Sequence, residues 1–157
     1  MLGIDIDPVL IVRAEEVNKY SDQVVFKCVD FMSNEKDELL RSYLLKCGNC
    51  FDVIFCFSVT MWIHLNHGDD GLNRFLKEIS EMGEMLVIEP QPWKCYRSAV
   101  RRLKKCKKTF PLFEKITVRE NVEQHIEDYL LSTCSFKKVY ETPETKWGRR
   151  LVFFRKN

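Results

Sequence analysis

Glycine is scarce in this chain. Its 157 residues include six glycines, and none of them makes a glycine-rich turn between an opening strand and an opening helix. A nucleotide cradle of that kind is therefore not encoded in these residues. Long apolar runs are missing too: none approaches the roughly eighteen residues of a membrane-spanning helix, and no membrane association is expected. The first residues show no basic segment followed by an apolar one, so no secretory signal is expected. Histidine is limited to three residues. His64 and His67 could begin a metal site, but no third histidine or obvious carboxylate completes it, and no metal is expected.

Cysteine is plentiful by comparison, with seven residues, an odd number. Cys28, Cys56 and Cys134 lie in apolar runs, where a free thiol packs as a small hydrophobe. That usage implies a reducing compartment, the cytosol or the nucleus. Cys47 and Cys50 have the spacing of a redox or zinc half-site. No second pair or nearby histidine completes four ligands, and the pair does not follow a strand, so they read as loop cysteines.

Composition is otherwise that of a globular protein, with 45% hydrophobic and 31% charged residues. The net charge of +2 conceals an asymmetry. Residues 1–90 carry 8 Lys/Arg and 16 Asp/Glu, whereas residues 93–119 carry 10 Lys/Arg against Glu114 alone. A basic block that dense on an otherwise acidic chain points to a polyanionic partner, although a solvated basic helix face has the same composition.

Short apolar runs alternate with helical patterns, the signature of βαβ units and an α/β fold with a mostly parallel sheet. Strands are expected at 1–4, 24–29, 52–57 and 85–88. Asp7 is placed to cap, and Pro8 to open, a helix reaching about Tyr20. Further helices are expected at 36–46, from Asp69 or Asp70 through Met82, at 93–106 and at 121–132. Leu72, Phe75, Leu76, Ile79 and Met82 recur with helical period. Residues 136–141 and 150–155 read as a closing antiparallel pair joined by a loop at 143–148. The whole reads as one domain, residues 1–157.

Polar and aromatic side chains at the carboxyl ends of parallel strands line the crevice where open α/β sheets bind ligands. Two segments stand there, Ser58–Asp69 and Glu89–Arg97. Asp5 and Asp30 close the two earlier strands. Paired carboxylates suit the ribose hydroxyls and the amino group of an adenosine, with Phe31 against the ring; an aspartate after a strand is also a common turn residue. Asp5 would suit a nicotinamide dinucleotide equally, but nothing positions a hydride acceptor.

Leu2–Pro8, Asp30 with Phe31, Trp62–Asp69 and Glu89–Tyr96 resemble the motifs of the Bicoid-interacting family of S-adenosylmethionine-dependent RNA 5′-phosphate methyltransferases, across nearly the whole chain. His67 and the Trp93–Arg97 run resemble the branch that methylates 5′-monophosphates of small RNAs, of the histidine transfer RNA and microRNA-precursor type. The resemblance implies a Rossmann-like class I methyltransferase fold, S-adenosylmethionine as cofactor and a small RNA 5′ end as partner. It implies Asp5 and Ile6 as the ribose-binding pair, Asp30 and Phe31 as the adenine-binding pair, and Phe57 as a further cofactor contact. Trp62–His67 and Glu89–Tyr96 would form the substrate wall. The family's glycine-rich turn has no counterpart here, and the first strand of the fold is expected to be missing. That strand is central in the family's sheet, so the two earliest strands should be separated from the one at 52–57. A fragment or short isoform that binds cofactor poorly is expected.

Methylating a phosphate needs little base catalysis. A terminal monophosphate, with a second pKa of about 6, is mostly dianionic at neutral pH. Neutral donors that aim its oxygen serve better than a fixed cation that quenches it, and His64, Asn66, His67 and Gln91 are such donors. Trp62, Trp93 and Tyr96 suit stacking on the terminal base, with Glu89 in the same wall. Arg97, Arg101, Arg102, Lys104 and Lys105 would track RNA phosphates away from the bound end. Residue by residue, other roles stay open: the histidines could cap a helix, Trp62 could be core, and Glu89 could be a structural cap. The alternative for the whole is a non-catalytic RNA-binding module. A monomer is expected.

Overall fold

The computed structural model describes residues 1–157 except the side chain of Cys47, so that half of the cysteine-pair reading lies outside the described residues. Two compact units divide the chain, Met1–Gly48 and Asn49–Asn157.

In the first unit, β1 (Leu2–Asp5) and β2 (Val25–Cys28) form a parallel pair, with Asp5 opposite Cys28. Helix α1 (Pro8–Glu16) starts as the sequence indicates: Asp7 is extended, its carboxylate accepts from the Val9 N–H at 2.8 Å, and Pro8 fills the first position. It ends short of Tyr20. Asn18 closes a turn instead, its amide donating to the Val24 carbonyl at 2.9 Å and its oxygen accepting from the Tyr20 N–H at 3.0 Å. Helix α2 spans Glu35–Cys47. Among the described residues, only Ile11, Val29 and Leu40 are buried apolar side chains of this unit. Each contributes about 1.5–3 kcal/mol, which makes a thin core.

The second unit runs β3 (Phe51–Phe57), α3 (Thr60–Met82), β4 (Gly83–Glu89), α4 (Trp93–Lys105), α5 (Val122–Ser132), β5 (Phe136–Glu141) and β6 (Val152–Lys156), with a 3-10 turn at Phe113–Lys115. Its sheet has the order β3-β4-β6-β5. β3 and β4 are parallel, and β6 runs antiparallel to both of its neighbours, so three of the four strands point one way. No ladder joins this sheet to β1 and β2 among the described residues, the separation expected. The core lies where α3 and α5 pack on the sheet. Leu65, Leu72, Leu76 and Ile79 of α3, Leu86 and Ile88 of β4, Ile126 and Leu130 of α5, and Phe154 of β6 are almost wholly excluded from water.

A second difference from the sequence reading concerns α3. The helix expected from Asp69 or Asp70 through Met82 is the second segment of α3, and an unexpected helical segment from Thr60 precedes it, because Met61, His64 and Leu65 already bury a helical face. Its cap is not local. Gln91 Oε1, thirty residues on, accepts from the Met61 N–H and the Thr60 hydroxyl, both at 3.2 Å. The helix then breaks at Gly68, whose φ of 70° and ψ of −171° are open in practice to glycine alone.

Candidate functional site

β3 and β4 end side by side, Phe57 opposite Glu89, and α3 and α4 leave from those ends. Ser58 makes the exit with a left-handed backbone, φ 55°. Its hydroxyl donates to the Glu89 carboxylate and accepts from Arg149 Nη1 at 3.0 Å, and Arg149 Nη1 lies 3.7 Å from Glu89 itself. Arg149 Nε is buried with no hydrogen-bond partner among the described residues. Sequence reasoning placed Glu89 and the segment from Ser58 here but gave Ser58 no role and missed Arg149. They are 91 residues apart, and no local pattern links them.

Behind this cluster lies a buried relay. His64 is wholly excluded from water, with Nδ1 3.1 Å from the Tyr96 hydroxyl and Nε2 2.7 Å from Asp69 Oδ1. Asp69 also accepts from the Thr117 N–H at 2.9 Å, the Thr117 hydroxyl at 2.6 Å and the Val118 N–H at 3.3 Å. Burial alone would raise the Asp69 carboxyl, but these donors outweigh it and hold it down at about 2. Burial also keeps His64 below its usual pKa, against the pull of Asp69, and it pushes the Tyr96 hydroxyl well up. The protonation pattern follows. An ionised Asp69 can only accept, so a neutral His64 donates through Nε2 and accepts from Tyr96 at Nδ1.

The relay changes the standing of the four donors expected to aim at a phosphate. His64 is buried with both ring nitrogens engaged within the fold, and Gln91 is buried with its carbonyl oxygen held by Met61 and Thr60. Asn66 is exposed, with its amide donating to the Trp62 carbonyl at 2.8 Å, and His67 is half-buried.

The aromatics divide as well. Tyr96 is buried beneath Trp93, ring centroids 4.8 Å apart, and Trp93 also stacks on Phe113 at 5.5 Å. The Arg119 guanidinium lies 5.9 Å from the Trp93 ring. Trp62 is 42% exposed and tilts against Phe110, centroids 6.2 Å apart. α4 turns Tyr96, Ala99 and Val100 inward and Arg97, Arg101, Arg102, Lys104 and Lys105 outward; Lys107 and Lys108 beyond it are also exposed.

In the first unit, Asp5 accepts from the Asp7 N–H and Asp30 from the Met32 N–H, each at 2.8 Å, so each carboxylate holds a turn through one oxygen. Ile6 is exposed, and the Lys36 ammonium lies 5.5 Å from the Phe31 ring. In the second unit, Phe57 is exposed and tilted on Phe55 at 5.5 Å. No group of three His, Cys, Asp or Glu side chains suited to a metal occurs among the described residues, and no helix is long and apolar enough to cross a membrane.

This strand order with its antiparallel β6, helices leaving the carboxyl ends, is the fold of S-adenosylmethionine-dependent methyltransferases. The chain is similar to the N-methyltransferase NodS of Bradyrhizobium japonicum WM9 in complex with S-adenosyl-L-homocysteine, with a TM-score of 0.61 at 13% identity over 99% of this chain and 65% of that one. It is also similar to the magnesium protoporphyrin IX methyltransferase of Synechocystis PCC 6803, with a TM-score of 0.58 at 17% identity over 99% and 63%. Residues 51–156 match the family model of Bicoid-interacting protein 3 (Bin3), and the chain belongs to that family. The RNA 5′-monophosphate methyltransferase of Bos taurus is 44% identical over 99% of this chain and 54% of its own length. The pre-miRNA 5′-monophosphate methyltransferase of Xenopus laevis is 38% identical over 98% and 62%. The chain thus spans little more than half the length of these curated relatives.

Proposed function

We propose that this chain is a methyltransferase domain of an enzyme that transfers a methyl group from S-adenosylmethionine to the 5′-monophosphate of small RNAs. Kinship with the RNA 5′-monophosphate methyltransferases over nearly all of its length carries the reading, and the exposed basic face of α4 supports it. The six cysteines described as free suit the cytosol or the nucleus as its place of action.

Asp5, Ile6, Asp30 and Phe31 fit the adenosine portion of the cofactor: two carboxylates, each with an oxygen left by its turn, beside an apolar and an aromatic side chain. Nothing in residues 1–157 supplies a glycine-rich turn for the methionine portion. The bound cofactor supplies an electrophilic methyl group. A 5′-phosphate is already a dianion at neutral pH and would need no base, so the work of these residues would be placement, and proximity is worth roughly 7–11 kcal/mol in such reactions. Asn66, His67 and the Arg149–Glu89–Ser58 cluster are the polar groups of the wall. His64, Tyr96 and Asp69 hold α3 and α4 in register behind it.

The test is transfer of labelled methyl from S-adenosylmethionine to an RNA bearing a 5′-monophosphate and to the same RNA after phosphatase treatment. Label only in the first supports the reading; equal label in both refutes it. A second reading, which the exposed basic face of α4 serves equally, is an RNA-binding module without cofactor. Calorimetric titration with S-adenosylmethionine separates the two: no heat, with RNA binding intact, supports the module.

A further inference from the structure

Of the three aromatics in the two motifs, two are spent within the protein. Tyr96 is buried with its hydroxyl engaged by His64, and Trp93 is stacked on Tyr96 and Phe113. Trp62 is different. It is 42% exposed on the first turn of α3. Phe110 braces its ring at 6.2 Å with planes inclined by 48°, so the indole is held on one side and open on the other. Phe110 closely follows Lys107 and Lys108, which continue the exposed basic face of α4.

Trp147 is the other exposed indole, at 70%. Its ring carries the Lys146 ammonium at 5.5 Å, and its neighbour Gly148 borders a shallow groove that presents Lys94 and Arg97 against Glu120, Glu123 and Glu144. Three carboxylates against two cations make that a poorer seat for a polyanion than the wholly basic face of α4.

We propose that Trp62, braced by Phe110, is the platform on which an unpaired nucleobase of a single-stranded RNA stacks while the basic face of α4 holds the neighbouring phosphates. This rests on the RNA reading above and deepens it: one base is taken out of any stack with its neighbours, and recognition there is indifferent to sequence because every base has a π-face. Trp93 has a structural part, bracing Tyr96.

Binding of a fluorescein-labelled single-stranded oligoadenylate to the chain, followed by anisotropy across a salt series, tests it. Trp62→Ala should weaken binding roughly tenfold while leaving the salt slope unchanged, since it removes a stacking surface and no cation. Trp62→Phe should restore most of the affinity and guards against misfolding as the cause. In a Trp93→Phe/Trp147→Phe variant, the oligoadenylate should quench the remaining indole, and a strand of abasic residues should not. If Trp62→Ala binds like the unsubstituted chain while neutralising Arg101, Arg102, Lys104 and Lys105 abolishes the salt slope, the platform is refuted and the RNA reading stands. If the unsubstituted chain is quenched and the Trp93→Phe/Trp147→Phe variant is not, the assignment to Trp62 is overturned. No binding of any oligonucleotide at low salt overturns both.

Discussion

Asp69→Ala is the most informative single change. Asp69 receives the His64 Nε2–H at 2.7 Å, the Thr117 N–H and hydroxyl at 2.9 and 2.6 Å, and the Val118 N–H at 3.3 Å. Thr117 is exposed, so its two donors turn to water at little cost. His64 has no such exit. Its Nε2–H becomes a buried donor without a partner, which costs about 1–3 kcal/mol, and removal of the charge-assisted bonds brings the total to about 3 kcal/mol. Urea denaturation reads this directly: with a slope of about 1–3 kcal/mol per molar, the midpoint should fall by roughly 1–3 M.

Acid gives a second readout. Asp69 has its carboxyl held down at about 2, from an ordinary 3.8. The stability it contributes is present above pH 4 and disappears as pH falls toward 2, about 1–2 kcal/mol after allowance for partial exposure. His64 acts earlier. Burial keeps it neutral in the folded chain, whereas the unfolded chain gains a proton below the ordinary 6.5, so stability declines as pH drops through that value. The unsubstituted chain should weaken in two stages, and Asp69→Ala should lack the lower one. Stabilities within about 0.5 kcal/mol of each other, or superimposable pH profiles, would refute the relay as a structural bolt.

Gly68→Ala should cost about 1–3 kcal/mol, read as a lowered urea midpoint, from backbone strain alone, since an added Cβ meets nothing closer than Leu112 at 3.7 Å. Neutralising Arg101, Arg102, Lys104 and Lys105 to glutamine should lower the slope of log binding constant against log salt by roughly 3, since each phosphate left unneutralised removes about 0.7; an unchanged slope counts against the α4 track. Glu127→Ala removes a buried carboxylate that Lys138 approaches to 2.8 Å and Arg150 to 3.4 Å. Because both cations keep Glu141 as partner, the loss in urea should be about 1–2 kcal/mol, and a loss beyond about 4 kcal/mol would mean they cannot rehydrate.

What the sequence made legible is what local chemistry decides. The Asp7–Pro8 start of α1 holds because cap and first turn are adjacent residues. The apolar repeat from Leu72 to Ile79 is buried as its spacing indicates, and the inward and outward faces of α4 follow from the same period. The segment of α3 before Gly68 escaped the sequence reading for a physical reason: its cap, Gln91, sits on another loop, and a helix with no polar residue of its own doing the capping looks like an extended motif. The site was legible as a location more than as a set of roles. His64 and Gln91 look alike in a string of polar residues, and only the structure shows both His64 nitrogens and the Gln91 oxygen engaged within the fold. Ser58, Arg149, Thr117 and Phe110 carry no signal of their own, since each acts on a residue tens of positions away.

The sheet of the second unit has two edges of opposite character. β5 presents Lys137 and Lys138 and a register shift between Lys138 and Tyr140, charges and a bulge that discourage a further strand from docking. β3 at the other edge reads Phe51 to Phe57 with Asp52 as its one charge, and leaves Phe55 and Phe57 more than half exposed. Taken by itself, Asn49–Asn157 offers that edge to strands from other molecules, so warming this unit alone at high concentration should end in irreversible association before equilibrium unfolding is complete. How long a preparation survives will then depend on protein concentration and heating rate, and dilute, cold solutions are where its folding can be measured as an equilibrium.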